Sequence, residues 1–299
     1  MRKSRGTETR SKPPPDPVAE LRDRKRSRVN PVRLRRSFDW SFRVLTSRWR
    51  VLPDFVILGT QRGGTTSLFD YLGRHPQVFP AFRKEVHFHD LHQARGLGWY
   101  RAHFPLAWRM SEGDIAGEAT PNYLIHPDAP RRLQATTPDA RLIVMVRNPI
   151  ERTHSSWRLM SSRGIETASF EDAIAREQRA PDPLAGESTG GPERLGSALQ
   201  FLYLAKSRYA EQIERWLEFF SQEQLTVIAS EDLFVNPAGV LSDLSKFLGI
   251  DPWDPASFAA LNQVAPASID QGFRQELAEY FRPHNRRLEL LLGRAFDWD

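Results

Sequence analysis

The stretch Phe55-Val-Ile-Leu-Gly-Thr-Gln-Arg-Gly-Gly-Thr-Thr-Ser-Leu68 decides the fold of this chain. It begins with an apolar run, Phe55–Leu58, which is long enough for a buried strand and too short for a helix. Three glycines follow, at 59, 63 and 64, and they permit positive φ angles and close approach of a ligand to the backbone. The pattern predicts a strand, a tight turn and then the first turn of a helix.

The turn also predicts an anion site. Thr65, Thr66 and Ser67 are residue types that cap helices, and an apolar pattern continues from them to Leu72. At such a helix start, unpaired N–H groups and the helix dipole converge on one point. The residues expected to hold the anion are Arg62, Gly63, Gly64, Thr65, Thr66 and Ser67.

One detail separates this loop from that of the metal-dependent nucleotide hydrolases. In those proteins the second glycine is followed by Lys and then by Ser or Thr. Here the spacing from Gly59 to Gly64 agrees, but Thr65 stands in place of the Lys. The loop's positive side chain is Arg62 instead. We therefore expect a phosphate-type cradle that works without a metal ion.

A second anion site is predicted after a second apolar strand, Arg141–Val146. Pro149 opens a helix over Ile150–Arg163, because Pro is favoured in a first helical turn. A metal-dependent kinase or NTPase would usually carry an Asp at this strand end to hold magnesium. This chain carries Arg147 there, with Ser155 two helical turns further on.

The remaining pattern alternates strands and helices. Such alternation predicts an α/β fold with a parallel sheet flanked by helices and ligands at the carboxyl ends of the strands. A long surface loop is expected over 180–197, which is rich in Pro, Gly and Ser. The other expected elements are a strand ending near Gly117–Tyr123, a strand over Leu225–Ala229, and helices over Gly98–Phe104, Pro130–Thr137, Leu199–Phe220, Pro237–Leu248 and Phe273–Leu292.

Charge divides the 299-residue chain unevenly. Residues 1–50 hold 16 Lys and Arg against 5 Asp and Glu, and the other 249 hold 26 against 32. The sequence therefore predicts a basic N-terminal extension over 1–50, at least partly disordered, and one domain over 51–299. The basic extension is interpreted either as an anchor to nucleic acid or to an anionic membrane, or as a solubilising segment without a specific partner. We favour the solubilising segment.

Composition excludes several classes of protein. The chain has no Cys, which excludes disulfides, thiolate metal sites and a Cys nucleophile. No stretch reaches the roughly 18 apolar residues of a membrane span, and no signal-peptide pattern follows the basic start. We expect a soluble, cytoplasmic protein with no nucleic-acid partner, and the sequence does not fix an oligomeric state.

Several motifs, in this order, make the chain resemble a known family. Beside the two anion sites, these are Glu85-Val-His-Phe-His-Asp90, Tyr280-Phe-Arg-Pro-His-Asn285 and Phe296-Asp-Trp-Asp299. From about Pro53 to Asp299 the chain resembles the sulfotransferases that use 3′-phosphoadenosine 5′-phosphosulfate (PAPS). It is most similar to their carbohydrate branch, the heparan sulfate glucosaminyl 3-O-sulfotransferases and bacterial relatives. The resemblance implies the P-loop-like sulfotransferase fold.

The resemblance also implies roles for residues. Residues 59–65 look like the 5′-phosphosulfate loop, and Arg147 and Ser155 like the ligands of the 3′-phosphate. Glu85 is implied as the catalytic base, with Arg62 and His87 as further catalytic residues. The implied acceptor-binding residues are Lys84, Glu85, His87 and Asp90. PAPS is implied as the sulfuryl donor, without a metal, and the acceptor as a hydroxyl group of a sugar or glycolipid.

Departures from the family pattern keep alternatives open. Ala119 stands where animal members carry a Lys in the acceptor site, and Asn262–Ser268 replaces a basic loop that closes over the nucleotide. A catalytically inactive protein that binds the desulfated donor, PAP, or a glycan is one alternative, and a P-loop phosphoryl transferase is a weaker one. The histidines at 87, 89 and 92 also admit a zinc site, which we disfavour.

Overall fold

A five-stranded parallel sheet forms the centre of the fold. The computed structural model describes residues 39–181, 199–253 and 269–298. The strands are β1 (Phe55–Gly59), β2 (Val78–Pro80), β3 (Ile115–Ala119), β4 (Arg141–Val146) and β5 (Leu225–Ala229). They lie in the order β2-β3-β1-β4-β5, and every neighbouring pair is parallel. The expected parallel sheet is confirmed.

The central strands are apolar on both sides because both faces of the sheet are covered. In β1, Val56 and Leu58 belong to the core on one face, while Phe55 and Ile57 belong to the core on the other. All five residues of β1 are buried. Continuous apolar runs of this kind are typical of parallel strands, and this is why Phe55–Leu58 showed no polar alternation.

Helices surround the sheet. They include α1 (Thr65–Leu72), α2 (Gly96–Arg101), α3 (Ala129–Gln134), α4 (Pro149–Ser162), α5 (Phe170–Arg179), α6 (Tyr209–Leu217), α7 (Ser230–Val235), α8 (Pro237–Leu248) and α9 (Gln271–Leu292). Apolar side chains of α3, α6 and α9 cover one face. Those of α1 and α8 cover the other. None of the described helices is long and apolar enough to cross a membrane.

The strand order creates a crevice at the carboxyl end of the sheet. The chain leaves β1 toward the β3 and β2 side, whereas it leaves β4 toward β5. Connections that diverge from neighbouring strands open a space between them, where ligands of open α/β sheets bind. The glycine turn follows β1 and Arg147 follows β4, so both predicted anion sites lie at this point.

The prediction of one long helix over Leu199–Phe220 is wrong. The helix begins at Tyr209, after a short 3₁₀ turn over Ala205–Ser207. Three consecutive N–H groups before it bond to a side chain. The N–H groups of residues 203–205 donate to the carboxylate of Glu177 at 2.6–2.9 Å, and the Tyr203 carbonyl accepts from Thr153 Oγ1 at 3.1 Å. A partly buried carboxylate therefore replaces a helical turn.

Other predictions were close, missed or lie outside the described residues. The short strand β2 was missed, since three residues carry too little pattern, and the helices predicted from Gly98 and Pro130 are shorter and begin slightly earlier. The strand Arg141–Val146 and the helix Pro237–Leu248 have the predicted bounds. Residues 1–38 of the predicted extension, residues 182–197 of the predicted loop and Asn262–Ser268 lie outside the described residues.

Candidate active site

The loop after β1 lies tightly on the neighbouring strand. Thr60 N–H donates to the Met145 carbonyl of β4 at 2.8 Å, and Gly63 N–H donates to the Thr60 carbonyl at 3.0 Å. A Cβ on Gly63 would stand 2.7 Å from Thr60 Cγ2 and 3.1 Å from the Met145 carbonyl oxygen. Gly64 has φ 88° and is the N-cap of α1. Both glycines are therefore required by space or by backbone conformation.

The predicted capping role of Thr65, Thr66 and Ser67 is wrong. These residues form the first turn of α1, and no described side chain caps the helix start. Gly64 takes the cap position because its left-handed conformation ends the loop there. The first N–H groups of a helix lack intrahelical partners. Those of α1 lie at the crevice, where an anion could accept from them, and the anion site stays a prediction.

The two predicted anion sites are joined into one. Arg62 Nε donates to Ser155 Oγ on α4 at 2.9 Å. Arg147 Nη1 donates to the Arg62 carbonyl oxygen at 3.3 Å. The residues assigned from separate motifs, 93 and 85 positions apart in sequence, are thus in direct contact. One continuous cationic surface can bind two anionic groups of a single ligand.

The electrostatics of this surface favour an anion. Burial, and after it the positive charges of Arg147, Arg163 and Arg158, lower the pKa of Arg62. No described carboxylate forms an ion pair with Arg62, and the charged groups that shift its pKa are all arginines. Cations gathered without anionic partners are stabilised when an anion binds between them.

Lys206 is a buried cation that the sequence analysis missed. Its Nζ donates to Gln61 Oε1 at 3.1 Å, and its carbonyl accepts from Thr60 Oγ1 at 3.4 Å. Burial, with Arg152 beside it, lowers the pKa of Lys206 to about 7. Lys206 lies beneath the loop and fixes residues 60 and 61. The sequence analysis placed Lys206 inside a long helix, and that pattern gave no indication that its side chain contacts the loop after β1.

Ser230, the first residue of α7, was also missed. Its Oγ lies 2.5 Å from the Gly63 carbonyl and 3.0 Å from the Val146 carbonyl. A single buried hydroxyl thus ties the phosphate-type loop to the end of β4. In the sequence Ser230 simply follows the apolar strand Leu225–Ala229, and no motif marks it as part of the site.

The segment with the predicted base lies beside the loop. Glu85 N–H donates to the Ala119 carbonyl at the end of β3, which pairs with β1. Lys84 Nζ donates to Glu85 Oε1 at 2.8 Å. His87 Nε2 lies 3.7 Å from Glu85 Oε2, and His87 Nδ1 lies 2.7 Å from Asp90 Oδ2. The four predicted acceptor-site residues therefore form one cluster.

Charge in this cluster is strongly polarised. The ion pair with His87, and then the bond from Lys84, lower the pKa of Glu85 to about 2 against the opposing effect of burial. Bonds to Asp90 and Glu85 outweigh burial and raise the pKa of His87 to about 9. At neutral pH an imidazolium therefore lies between two carboxylates, one of which is half exposed at 48% and one buried at 1%.

Backbone conformation singles out the same residues. Among the described residues, φ is positive at three non-glycine positions: Arg62 at 70°, Glu85 at 61° and His87 at 56°. Such conformations cost about 1–3 kcal/mol each and tend to occur where the surrounding structure needs a side chain in one direction. These are the three residues that the sequence analysis assigned to catalysis.

The histidines do not form a zinc site. His89 is enclosed by aromatic rings, with ring centroids 5.0 Å from Tyr100 and 5.2 Å from Tyr123. His92 packs against Trp99. Within the described ranges no group of His, Asp and Glu side chains has the arrangement of a metal site.

Fold and site together define a protein of the phosphate-loop α/β class. The sequence model of the sulfotransferase domain matches residues 52–263. The chain therefore belongs to the sulfotransferase domain family.

Relatives and a solved structure agree with this assignment. The chain is 29% identical to the membrane-associated sulfotransferase kil1 of Dictyostelium discoideum, covering 83% of this chain and 66% of that protein. It is 31% identical to the mouse heparan sulfate glucosamine 3-O-sulfotransferase 3A1, covering 83% of this chain and 65% of that protein. The chain thus spans about two thirds of these relatives' length.

A crystal structure of a sulfotransferase from Alicyclobacillus acidocaldarius superimposes with a TM-score of 0.67 at 26% identity. The match covers 82% of this chain and 98% of that one. The predicted family and the sulfotransferase fold are confirmed. The roles of individual residues stay predictions.

Proposed function

We propose that the protein transfers the sulfuryl group of PAPS, the donor used by its family, to a hydroxyl group of a sugar-containing acceptor. The observation that supports this most is the contact between the two anion sites. Arg62 bonds to Ser155, and Arg147 bonds to the Arg62 carbonyl. A donor with a phosphosulfate at one end and a 3′-phosphate at the other matches this pair of adjoining sites.

In the proposed reaction Glu85 accepts the proton of the acceptor hydroxyl as its oxygen attacks sulfur. The bond between sulfur and the bridging oxygen breaks, and its electron pair stays on that oxygen, which leaves as part of PAP. Arg62 and the N–H groups at the start of α1 stabilise the charge that develops there. Lys84 and His87 hold the sulfuryl oxygens.

The low pKa of Glu85 belongs to the donor-free protein. Two cations, Lys84 and His87, bond to its carboxylate there and make it a weak base. When Lys84 and His87 turn toward the sulfuryl oxygens, those bonds weaken and the negative donor lies nearby. Both changes raise the pKa of Glu85. Donor binding thereby converts a resting ion pair into a general base.

A neutral or weakly charged glycoside or glycolipid is the proposed acceptor class. Residues 51–299 hold 26 Lys and Arg against 32 Asp and Glu, and Ala119 supplies no charge at the end of β3. The mouse relative is named for heparan sulfate, which is strongly anionic. A mildly acidic surface without that Lys disfavours such a polymer.

Donor specificity tests the proposal. PAP should raise the melting temperature strongly, whereas ATP with magnesium should not, because ligand binding stabilises the folded state by mass action. Calorimetry of Arg147→Ala should show loss of the preference for PAP over its analogue lacking the 3′-phosphate. Arg131→Ala, at an exposed arginine on α3 outside the site, is the matched control.

The competing functions give different outcomes. Stabilisation by ATP with magnesium, equal to that by PAP, would favour a phosphoryl transferase and contradict the proposal. PAP binding without turnover on a broad acceptor panel would favour an inactive binding protein. An Arg147→Ala variant that still distinguishes the two nucleotides would overturn the 3′-phosphate assignment.

A further inference from the structure

Glu118 is a buried carboxylate beneath the segment that carries Glu85 and His87. It lies in β3 and is fully buried. Three hydroxyl groups donate to it: Tyr100 to Oε1 at 2.6 Å, Tyr123 to Oε1 at 3.2 Å, and Thr120 to Oε2 at 2.7 Å. Burial raises the pKa of Glu118 to about 7. The carboxylate is fully satisfied without a cation.

Two of these hydroxyls also bind the catalytic segment. The Tyr123 oxygen accepts from the backbone N–H of Phe88 at 2.8 Å and of His89 at 3.3 Å. The Thr120 oxygen accepts from the N–H of His87 at 3.4 Å. The backbone N–H groups of three consecutive residues, 87–89, therefore donate to two hydroxyl oxygens, and each of these hydroxyls donates in turn to Glu118.

Above its pKa of about 7, Glu118 is ionised, and its charge sets the direction of these bonds. An ionised carboxylate only accepts hydrogen bonds, so each hydroxyl proton then points toward it. The lone pairs of Tyr123 and Thr120 are then left for the amides of residues 87–89. A neutral amide at position 118 would place a donor where either Oε1 or Oε2 now accepts, so either Tyr123 or Thr120 could no longer both donate to it and accept from the segment amides.

We propose that Glu118 is a positioning residue, which acts through Tyr123 and Thr120 to hold Glu85 and His87 in their left-handed backbone conformations. Glu85 and His87 have φ 61° and 56°, so the segment needs external bonds to keep this shape. At the N-terminal end of the segment, the Glu85 N–H donates to the Ala119 carbonyl and fixes that end to β3. The proposal rests on the proposed function, in which these side chains act at the reacting group.

The two tyrosines provide a matched test. Tyr100 and Tyr123 are both fully buried and both donate to Glu118 Oε1, but it is the Tyr123 oxygen that accepts from the segment amides. Tyr123→Phe and Tyr100→Phe each remove one hydroxyl and should lower the melting temperature similarly. At pH 8, Tyr123→Phe should lower kcat by about tenfold or more, since small misplacements of reacting groups are costly. Its KM for PAPS and its affinity for PAP should stay unchanged, and Tyr100→Phe should keep wild-type kcat.

A second readout does not depend on turnover. The His87 ring should titrate near its wild-type pKa in Tyr100→Phe and closer to 6.5 in Tyr123→Phe, as followed by NMR in the donor-free protein. If no sulfuryl transfer is found in wild type, the proposed function fails while this titration still decides the positioning role. Should Tyr123→Phe not fold, the same two measurements are made on Thr120→Val, which removes the hydroxyl that accepts from His87, and on Thr120→Ser, which keeps it. Thr120→Val should then show the loss and Thr120→Ser should not. Equal kcat and equal His87 titration in the paired variants would overturn the proposal.

Discussion

At the scale of single residues, Glu85, the proposed base, has a low pKa in the donor-free protein, so its basicity is suppressed there. Lys84 and His87 hold its carboxylate in the donor-free protein. With its pKa held at about 2, this carboxylate is ionised at neutral pH. In the proposed reaction it becomes available as a base when Lys84 and His87 turn to the donor, so donor binding and proton transfer are coupled.

Replacing Glu85 by Gln tests this role. Glu85→Gln keeps the shape and a hydrogen-bonding oxygen but removes the proton affinity. Turnover should fall by about 10²-fold or more, the usual scale of general-base contributions, while PAP affinity measured by calorimetry should stay nearly constant. Glu276→Gln, at an exposed position of α9, serves as the control. Near-normal turnover in Glu85→Gln would rule out Glu85 and leave His87 as the candidate base.

The pH dependence of kcat/KM reports on His87 in the free protein. Its pKa is raised from 6.5 to about 9, so the imidazolium persists below pH 9 and is lost above it. We therefore predict that kcat/KM declines as pH rises through about 9. The decline should disappear in His87→Gln, which cannot titrate. An alkaline limb near pH 6.5 in wild type would show that Asp90 and Glu85 do not hold the proton on His87.

At the scale of elements, the site depends on ties between loops that follow different strands. Ser230, at the start of α7, bonds to carbonyls of the glycine loop and of β4. Ser230→Ala should destabilise the protein by about 1 kcal/mol, the usual net value of one hydrogen bond, and should also weaken PAP binding. Urea unfolding and calorimetry measure the two effects.

A matched variant separates these effects. Ser245→Ala removes another buried serine hydroxyl, on α8 away from the loop. It should leave PAP affinity unchanged whatever its cost in stability. If Ser230→Ala binds PAP as tightly as Ser245→Ala does, the tie does not shape the donor site.

The elements also show what could be predicted from sequence. The anion loop, the strand Arg141–Val146 and the helix after Pro149 follow from local patterns, because apolar runs, glycines and Pro act within a few residues. Lys206, Ser230 and Glu118 could not be found in this way. Each acts through a partner brought close by the fold, and Lys206 also lies where the carboxylate of Glu177 replaced a predicted helical turn. The one signal for Glu118 was a carboxylate within an otherwise small and apolar strand.

At the scale of the whole molecule, the charge separation between residues 1–50 and the rest leads to a prediction about the extension. If Met1–Asn30 is a solubilising segment, as its composition indicates, its deletion should leave the melting temperature and turnover nearly unchanged. Calorimetric melting and steady-state kinetics of the shortened and full chains provide the comparison. A large loss of either quantity would show that the segment packs on the domain or helps to bind a substrate.

The central claim is that this chain moves a sulfuryl group from PAPS to a sugar hydroxyl. The most direct measurement is transfer of a radiolabelled sulfuryl group from PAPS to a panel of neutral glycosides, glycolipids and heparan oligosaccharides, with Glu85→Gln run in parallel. We expect label on a neutral or weakly charged acceptor, equimolar release of PAP, and little label when Glu85→Gln replaces the wild type. PAP binding without label on any acceptor would contradict it, and so would transfer that Glu85→Gln supports as well as the wild type does.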